Sequence, residues 1–202
     1  LVSSYGGRRS YFGTNPICIA APRRESEPFC LDMAPTGISW NKLLGARERG
    51  ESLPNNCAAD ENGDPTNDPA LAQCLLPIGN YKGYGIAAMV EVLCAVLTGM
   101  PFGRSIPPMF TFSMEKHRHL GQFYMVMRTD VCQPQADFEL RLQQMTDEVR
   151  SEPSNPGERV QLANDPQIEE EQRRQKKGIP VDDSLLDEFH KLSSELNVEM
   201  DL

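Results

Sequence analysis

Phe29, Leu31 and Met33 alternate with Cys30 and Asp32, the period-two pattern of a strand with one covered face. Ahead of it, Ile17-Cys18-Ile19-Ala20-Ala21 predicts a short buried strand, and the polar Arg23-Arg24-Glu25-Ser26-Glu27 predicts the loop that reverses the chain between them. In residues 38–48 the period changes to that of a helix, with Trp40, Leu43 and Leu44 at helical spacing and Thr36 and Ser39 as candidate caps. Residues 51–69 are rich in Asn, Asp, Pro and Gly and read as a long irregular loop, the kind of segment that often carries function. Residues 83–100 form the longest apolar run. Glu91 at its middle and three glycines, in a length that barely reaches the roughly 20 residues a bilayer needs, make it a buried core helix instead of a membrane span. Further on, residues 101–120 are irregular, 122–127 predict a buried strand and 136–150 an amphipathic helix. A Pro/Ser/Gly linker follows at residues 151–157, then polar surface helices at 167–177 and 184–196.

Strands and helices mix without regular βαβ spacing, which predicts an α/β or α+β fold and not a doubly wound sheet. The 202 residues suffice for one domain or two small ones, and we divide them at 1–130 and 131–202. Charge adds one fact to the pattern. Residues 137–202 carry 17 acids and 8 bases and so hold the whole formal charge of -9, an acidic surface that argues against a nucleic-acid partner. The six cysteines include no C-x-x-C pair and sit among apolar neighbours, so they read as buried thiols in a reducing cytoplasm. The chain starts at Leu1 without a methionine, which leaves open an earlier beginning.

Candidate chemistry gathers at three places. Pro77-Ile78-Gly79-Asn80-Tyr81-Lys82-Gly83-Tyr84-Gly85 puts glycine-rich backbone and Lys82 at a helix start, an anion site in outline, although neither dinucleotide nor P-loop spacing is met. A packed glycine turn with a solvated lysine explains it equally well. Gly13-Thr14-Asn15-Pro16 offers a hydroxyl and an amide before a proline, either as an Asx-type turn or as a reader of a polar substrate. Asp32, facing away from Leu31 and Met33, suits a ribose diol or a cap on the turn at Ala34-Pro35-Thr36-Gly37. Glu91 shares its helix face with Ala87, Ala88, Cys94, Ala95 and Thr98, which favours a hydrogen-bonded glutamate at a helix or subunit contact over an acid with a shifted pKa. The acidic loop at residues 60–68 has Pro65 where a calcium loop needs glycine, and is expected to be a turn. His117 and His119 flank an arginine and lack a third ligand, so no metal is expected; no nucleophile elbow or triad is evident either.

Gly13-Thr14-Asn15-Pro16, Phe29-Cys30-Leu31-Asp32-Met33-Ala34 and Leu76-Pro77-Ile78-Gly79-Asn80-Tyr81-Lys82-Gly83-Tyr84-Gly85, in that order and separation, resemble the type 2 malate/L-lactate dehydrogenase family. The block at residues 62–69 and the run at 97–104 extend the likeness over most of the chain. The resemblance implies a mixed α/β, non-Rossmann NAD(P)-binding fold, a homodimer, and hydride transfer between NAD(P) and a 2-hydroxy acid or its 2-oxo acid. NAD is favoured over NADP because an aspartate beside a ribose repels a further phosphate. Trp40 with Lys42 and Pro101-Phe102-Gly103-Arg104 tilt the expected substrate towards ureidoglycolate, with malate or lactate as alternatives. It also implies that Asp32, Met33, Ala34 and Lys82 touch the cofactor and that Gly13, Thr14 and Asn15 lie near the substrate. A third cofactor contact, a Pro-Gly turn after a valine in the family, falls here on Asn164, Asp165 and Pro166 after Val160, where the residues depart from the family's. The catalytic histidine of the family would precede Leu1, so residues 1–202 by themselves are expected to be inactive. A non-catalytic, truncated paralogue acting as a binding or assembly protein is the other reading.

Overall fold

The computed structural model describes residues 1–24, 26–109, 111–113 and 115–200; Glu25 of the predicted loop and Phe110 and Met114 of the predicted irregular stretch lie outside the described residues. Two compact units make up the chain, Leu1–Gln144 and Met145–Leu202. In the first, very short strands assemble into one mixed sheet. These are β1 (Val2–Ser3), β2 (Ser10–Phe12) and, past a separate hairpin of β3 (Ile17–Arg23) and β4 (Ser26–Met33), β5 (Ala58–Ala59), β6 (Pro65–Thr66) and β7 (Cys74–Leu75). The sheet order is β2-β1-β7-β5-β6, with β1 parallel to β7 and the other pairs antiparallel. It is a mixed α/β architecture with no doubly wound core.

The core forms where this sheet meets helix α1 (Trp40–Arg49). Leu43 and Ala46 of the helix pack with Leu53, Cys57, Ala58, Ala72 and Leu75, all buried. Ser39 caps the helix start, its Oγ accepting the Lys42 amide at 3.2 Å, and Gly50 ends the helix in the left-handed region at φ 65°. Thr36, the other predicted cap, instead donates to the Ile38 carbonyl. Arg47 in the last turn donates to the carbonyls of Pro69 and Ala72 and so fastens the end of the Asn/Asp-rich loop to the helix. That loop is more regular than its composition predicts. Asp60 accepts the amides of Asn62 and Asp64 in an Asx turn, and β5 and β6 pair on either side of it.

Three predicted burials do not hold. The β3–β4 hairpin forms a two-stranded sheet of its own, not hydrogen-bonded to the five-stranded one, and its Cys18, Ile19 and Ala20 are exposed. With it goes the reading of the cysteines as buried: Cys57 and Cys74 are buried, but Cys18 and Cys132 are exposed. Residues 122–127 form no strand, and Tyr124, Met125 and Val126 are 81%, 77% and 97% exposed. A strand needs a neighbour to satisfy its backbone, and among the described residues this segment pairs with none.

The core helix packs through its small face. Helix α2 (Tyr81–Glu91) continues into a π-helical turn, Val92–Val96, and buries Gly83, Ala87, Glu91 and Ala95, while Met89, Val92, Val96 and Leu97 are exposed. Small side chains allow the closest backbone approach, so the Gly/Ala stripe packs inward and the bulky residues face out. The wider π turn rotates less per residue than an α turn and keeps Ala95 in line below Glu91. No helix among the described residues is long and apolar enough to cross a membrane.

Helix α3 (Gln135–Arg150) contains the boundary between the units. The second unit holds α4 (Asp165–Lys177) and α5 (Asp183–Leu196). The predicted polar character fits α4 and not α5, whose Leu185, Phe189, Leu192 and Leu196 form a part-exposed apolar stripe at helical spacing. On α4, hydrogen bonds from Arg173 and then Arg174 pull the exposed Glu170 carboxyl down from 4.5 to about 2. A depressed carboxylate pKa contributes stability above its ordinary value and loses it as pH falls through the folded one. The local helix of α4 should therefore loosen between about pH 4.5 and 2. Amide exchange along α4 should report this, with a smaller effect in high salt because the groups are exposed; protection unchanged down to pH 2 would remove the inference.

Candidate active site

Strand register brings the chemistry-bearing motifs together. Ile17 pairs with Met33 and Cys18 with Asp32, so the segment at residues 13–16 enters the hairpin beside the residues that leave it at Ala34. Residues 34–37 then run antiparallel to 76–78: Thr36 bridges Pro77, the Gly37 amide donates to Leu76 and the Ile78 amide donates to Pro35. These bonds deliver the Asp32-Met33-Ala34 segment to the approach of α2, where Asn80 at φ 56° turns the chain into the helix. Ring contacts complete the join, Phe12 on Tyr84 and Tyr5 on Tyr81, at 5.1 and 6.0 Å between centroids.

Asn15 fastens its own loop to the same helix. It adopts φ 37°, in the left-handed region that asparagine tolerates better than most residues. Its Nδ2 donates both hydrogens, to the Ala87 carbonyl and to Glu91 Oε2, each at 2.8 Å. Gly13 makes room for this, because a Cβ there would lie 2.7 Å from Asn15 Oδ1. Glu91 is buried, and its other oxygen, Oε1, accepts the Gly103 amide at 2.5 Å. Gly103, at φ 54°, admits no side chain, since a Cβ would stand 2.6 Å from the Tyr11 ring. Next to it, Arg104 donates to the Ser10 carbonyl and lies 5.5 Å over Tyr11. One buried carboxylate thus ties the motif loop, α2 and the Pro101-Phe102-Gly103-Arg104 run into a single block.

The groups left facing solvent differ in charge. Asp32 is exposed on β4, and Lys82 is exposed in the first turn of α2, where the helix dipole adds to its positive charge while the amides of Lys82, Gly83 and Tyr84 donate to the carbonyls of Gly79, Ile78 and Asn80. Met33 and Ala34 are half-buried between them in sequence. An exposed carboxylate that can accept from a diol, and a cation at a helix start that can meet a phosphate, form a donor set suited to a dinucleotide. Asn164, Asp165 and Pro166 belong to the second unit. There Asn164 takes φ 81° and Pro166 occupies the first turn of α4. Asp165 is buried, accepting the Leu162 amide at 2.9 Å and a two-pronged bond from Arg150 that holds the Arg150 guanidinium above its ordinary pKa. The carboxylate of Asp165 is thereby committed to its own turn. Among the described residues no group of three or more His, Cys, Asp or Glu could hold a metal ion, and His117 and His119 meet edge to face with centroids 6.1 Å apart.

Sequence reasoning placed Glu91 at a hydrogen-bonded helix contact, and the contact turns out to be with Asn15 itself. It missed Gly103, for which the only signal was a glycine inside a run matched to the family.

The family model described as malate/L-lactate dehydrogenase matches residues 1–190. A ureidoglycolate dehydrogenase (NAD(+)) of Escherichia coli K12 is 39% identical over 157 residues, 78% of this chain and 45% of the relative. An L-sulfolactate dehydrogenase of Methanocaldococcus jannaschii is 30% identical over 99% of this chain and 57% of its own. The solved structure of sulfolactate dehydrogenase from that organism superposes with a TM-score of 0.85 at 28% identity, covering 98% of this chain and 57% of that one. The chain thus spans about half the length of the curated relatives it matches.

Proposed function

The chain belongs to the malate/L-lactate dehydrogenase family, and from that premise we propose that it forms part of an NAD-dependent dehydrogenase that oxidises a 2-hydroxy acid, ureidoglycolate first among them. The convergence of three motif segments, through the Ile17–Met33 pair, the Thr36–Pro77 bridge and the Asn15 bonds to α2, is the observation that carries this reading. Asp32 holds the ribose diol, Lys82 with the first turn of α2 holds a phosphate, and Met33 and Ala34 line the nicotinamide. Gly13, Thr14 and Asn15 face the substrate. Bound there, the nicotinamide supplies the hydride acceptor. C2 of the hydroxy acid gives up hydride and its hydroxyl gives up a proton to a base, leaving a 2-oxo acid; orientation by the chain supplies a large part of the rate.

Ureidoglycolate is favoured because the E. coli relative at 39% identity carries that activity in its name, and NAD because the same name specifies it and because Asp32 would repel an extra ribose phosphate. Residues 1–130 form the cofactor-binding part and 131–202 complete the subunit. Six free cysteines suit a reducing cytoplasm, and a homodimer is the proposed assembly.

The test is a substrate panel. Purified protein is mixed with NAD or NADP and with ureidoglycolate, malate, lactate or sulfolactate, and reduced nicotinamide is followed by absorbance. Reduction is expected with NAD and ureidoglycolate. If no 2-hydroxy acid drives reduction of either dinucleotide, the dehydrogenase reading falls.

A further inference from the structure

One face of the β3–β4 hairpin carries chemistry that hydride transfer does not use. Residues directly opposite on paired strands share a face, so the pairs Cys18–Asp32 and Ala20–Cys30 put all four side chains on the same side of the hairpin. Cys18, Ala20 and Asp32 are exposed there, and Cys30 is half-buried. The two thiols meet on the diagonal, in hydrogen-bond contact with their sulfurs 3.9 Å apart. That bond first, and the charge of Asp32 last, hold the Cys18 thiol above its ordinary pKa. A charge felt at Cys18 sets the Asp32 carboxylate beside the pair.

We propose that Cys18 and Cys30 are a site of reversible exchange with small disulfides such as glutathione disulfide, and that the bridge they form weakens dinucleotide binding at Asp32. This rests on the dehydrogenase reading above, which puts a ribose on Asp32. A thiolate of the pair attacks one sulfur of glutathione disulfide, which releases one glutathione and leaves a mixed disulfide. The second thiol of the pair, as thiolate, then displaces the other glutathione. One S–S bond forms and one breaks, the dithiol is oxidised, and its two protons end on the two glutathiones.

Closing the bridge moves the strands. Diagonal neighbours on paired strands have Cα atoms about 7–8 Å apart, whereas a disulfide spans at most about 6.8 Å. The hairpin can yield, because β3 and β4 form a two-stranded sheet with no third strand bonded to either. Asp32 follows Cys30 by two positions on β4, so drawing Cys30 towards Cys18 shifts the carboxylate that holds the ribose.

The test uses full-length protein brought to equilibrium in glutathione buffers of increasing oxidised fraction. Trypsin cuts after Arg23 and Arg24, between the two cysteines, so the bridge appears in mass spectrometry as two joined peptides that excess glutathione separates. NADH affinity is measured by fluorescence on both forms. The bridged form should bind about tenfold more weakly, the worth of about one hydrogen bond to a charged group. By reciprocity, saturating NADH should raise the ratio of glutathione disulfide to squared glutathione at half-oxidation by the same factor. Cys18→Ser should bind NADH equally in reducing and oxidising buffer, which separates this pair from the exposed Cys132.

The proposal is overturned if no joined peptide appears at any glutathione ratio, if the bridged form binds NADH as well as the reduced form, or if Cys18→Ser loses affinity on oxidation as wild type does. In each of these cases turnover of a 2-hydroxy acid by the reduced protein leaves the dehydrogenase reading standing. Reduced protein that binds no NADH and oxidises no 2-hydroxy acid removes that reading, and the coupling with it.

Discussion

Gly121→Ala is expected to destabilise the first unit by about 3 kcal/mol or more, lowering its melting temperature by about 6–12 °C. A Cβ on Gly121 would fall 1.6 Å from the Cys94 carbonyl oxygen and 2.5 Å from Thr98 Oγ1, which already donates to that carbonyl at 2.6 Å. The obstacle is backbone of the π turn. It has no rotamer to change, so either the turn or the segment at residue 121 must move. Gly85 provides the contrast within the same helical stretch: a Cβ there meets nothing within 4 Å. Gly85→Ala should stabilise by about 0.5–1 kcal/mol through the helix preference of alanine. Equal melting temperatures for the two variants would show that residue 121 does not lie against the helix.

Lys82→Ala is expected to weaken NADH binding about tenfold, followed by the fluorescence of the bound dinucleotide. A charge-assisted bond to phosphate is worth about 1.5–3 kcal/mol, of which exposure and screening remove a part. Lys82 is exposed, so the loss should be larger at low ionic strength and should shrink as salt is raised. Asp32→Ala should act differently: it narrows the preference for NAD over NADP, because the exposed carboxylate that disfavours the extra phosphate is gone. Unchanged affinity in Lys82→Ala at low salt would take the phosphate away from the start of α2.

The elements that could be read in advance are those whose determinants are local. Alternation at Phe29, Leu31 and Met33 specified β4, and the capping hydroxyl of Ser39 specified where α1 begins. The site motifs were legible as short runs, but their convergence was not, because it rests on the Ile17–Met33 register and the Thr36–Pro77 bridge, and neither leaves a trace in either run alone. Burial was read least well. Apolar character says that a side chain gains by being covered; it does not say which face is covered. In α2 the small residues Gly83, Ala87 and Ala95 took the inner face, and at residues 122–127 apolar side chains found no strand to pair with among the described residues. Strands of two residues, such as β1 and β5, are too short for any period to show.

The π turn can also be viewed through the gain and loss of single residues in a lineage. Leu97 and Met100 donate to the carbonyls five positions back, Val92 and Ala95, at 2.8 and 2.9 Å. Such a turn is an α-helical turn that has accepted one extra residue without displacing its neighbours. Removing one residue from Val92–Val96 would restore α geometry and leave the segments on either side in their present register. Substitution at the exposed Val92 and Val96 should be tolerated in descendants of this chain, and so should loss of the one extra residue between them.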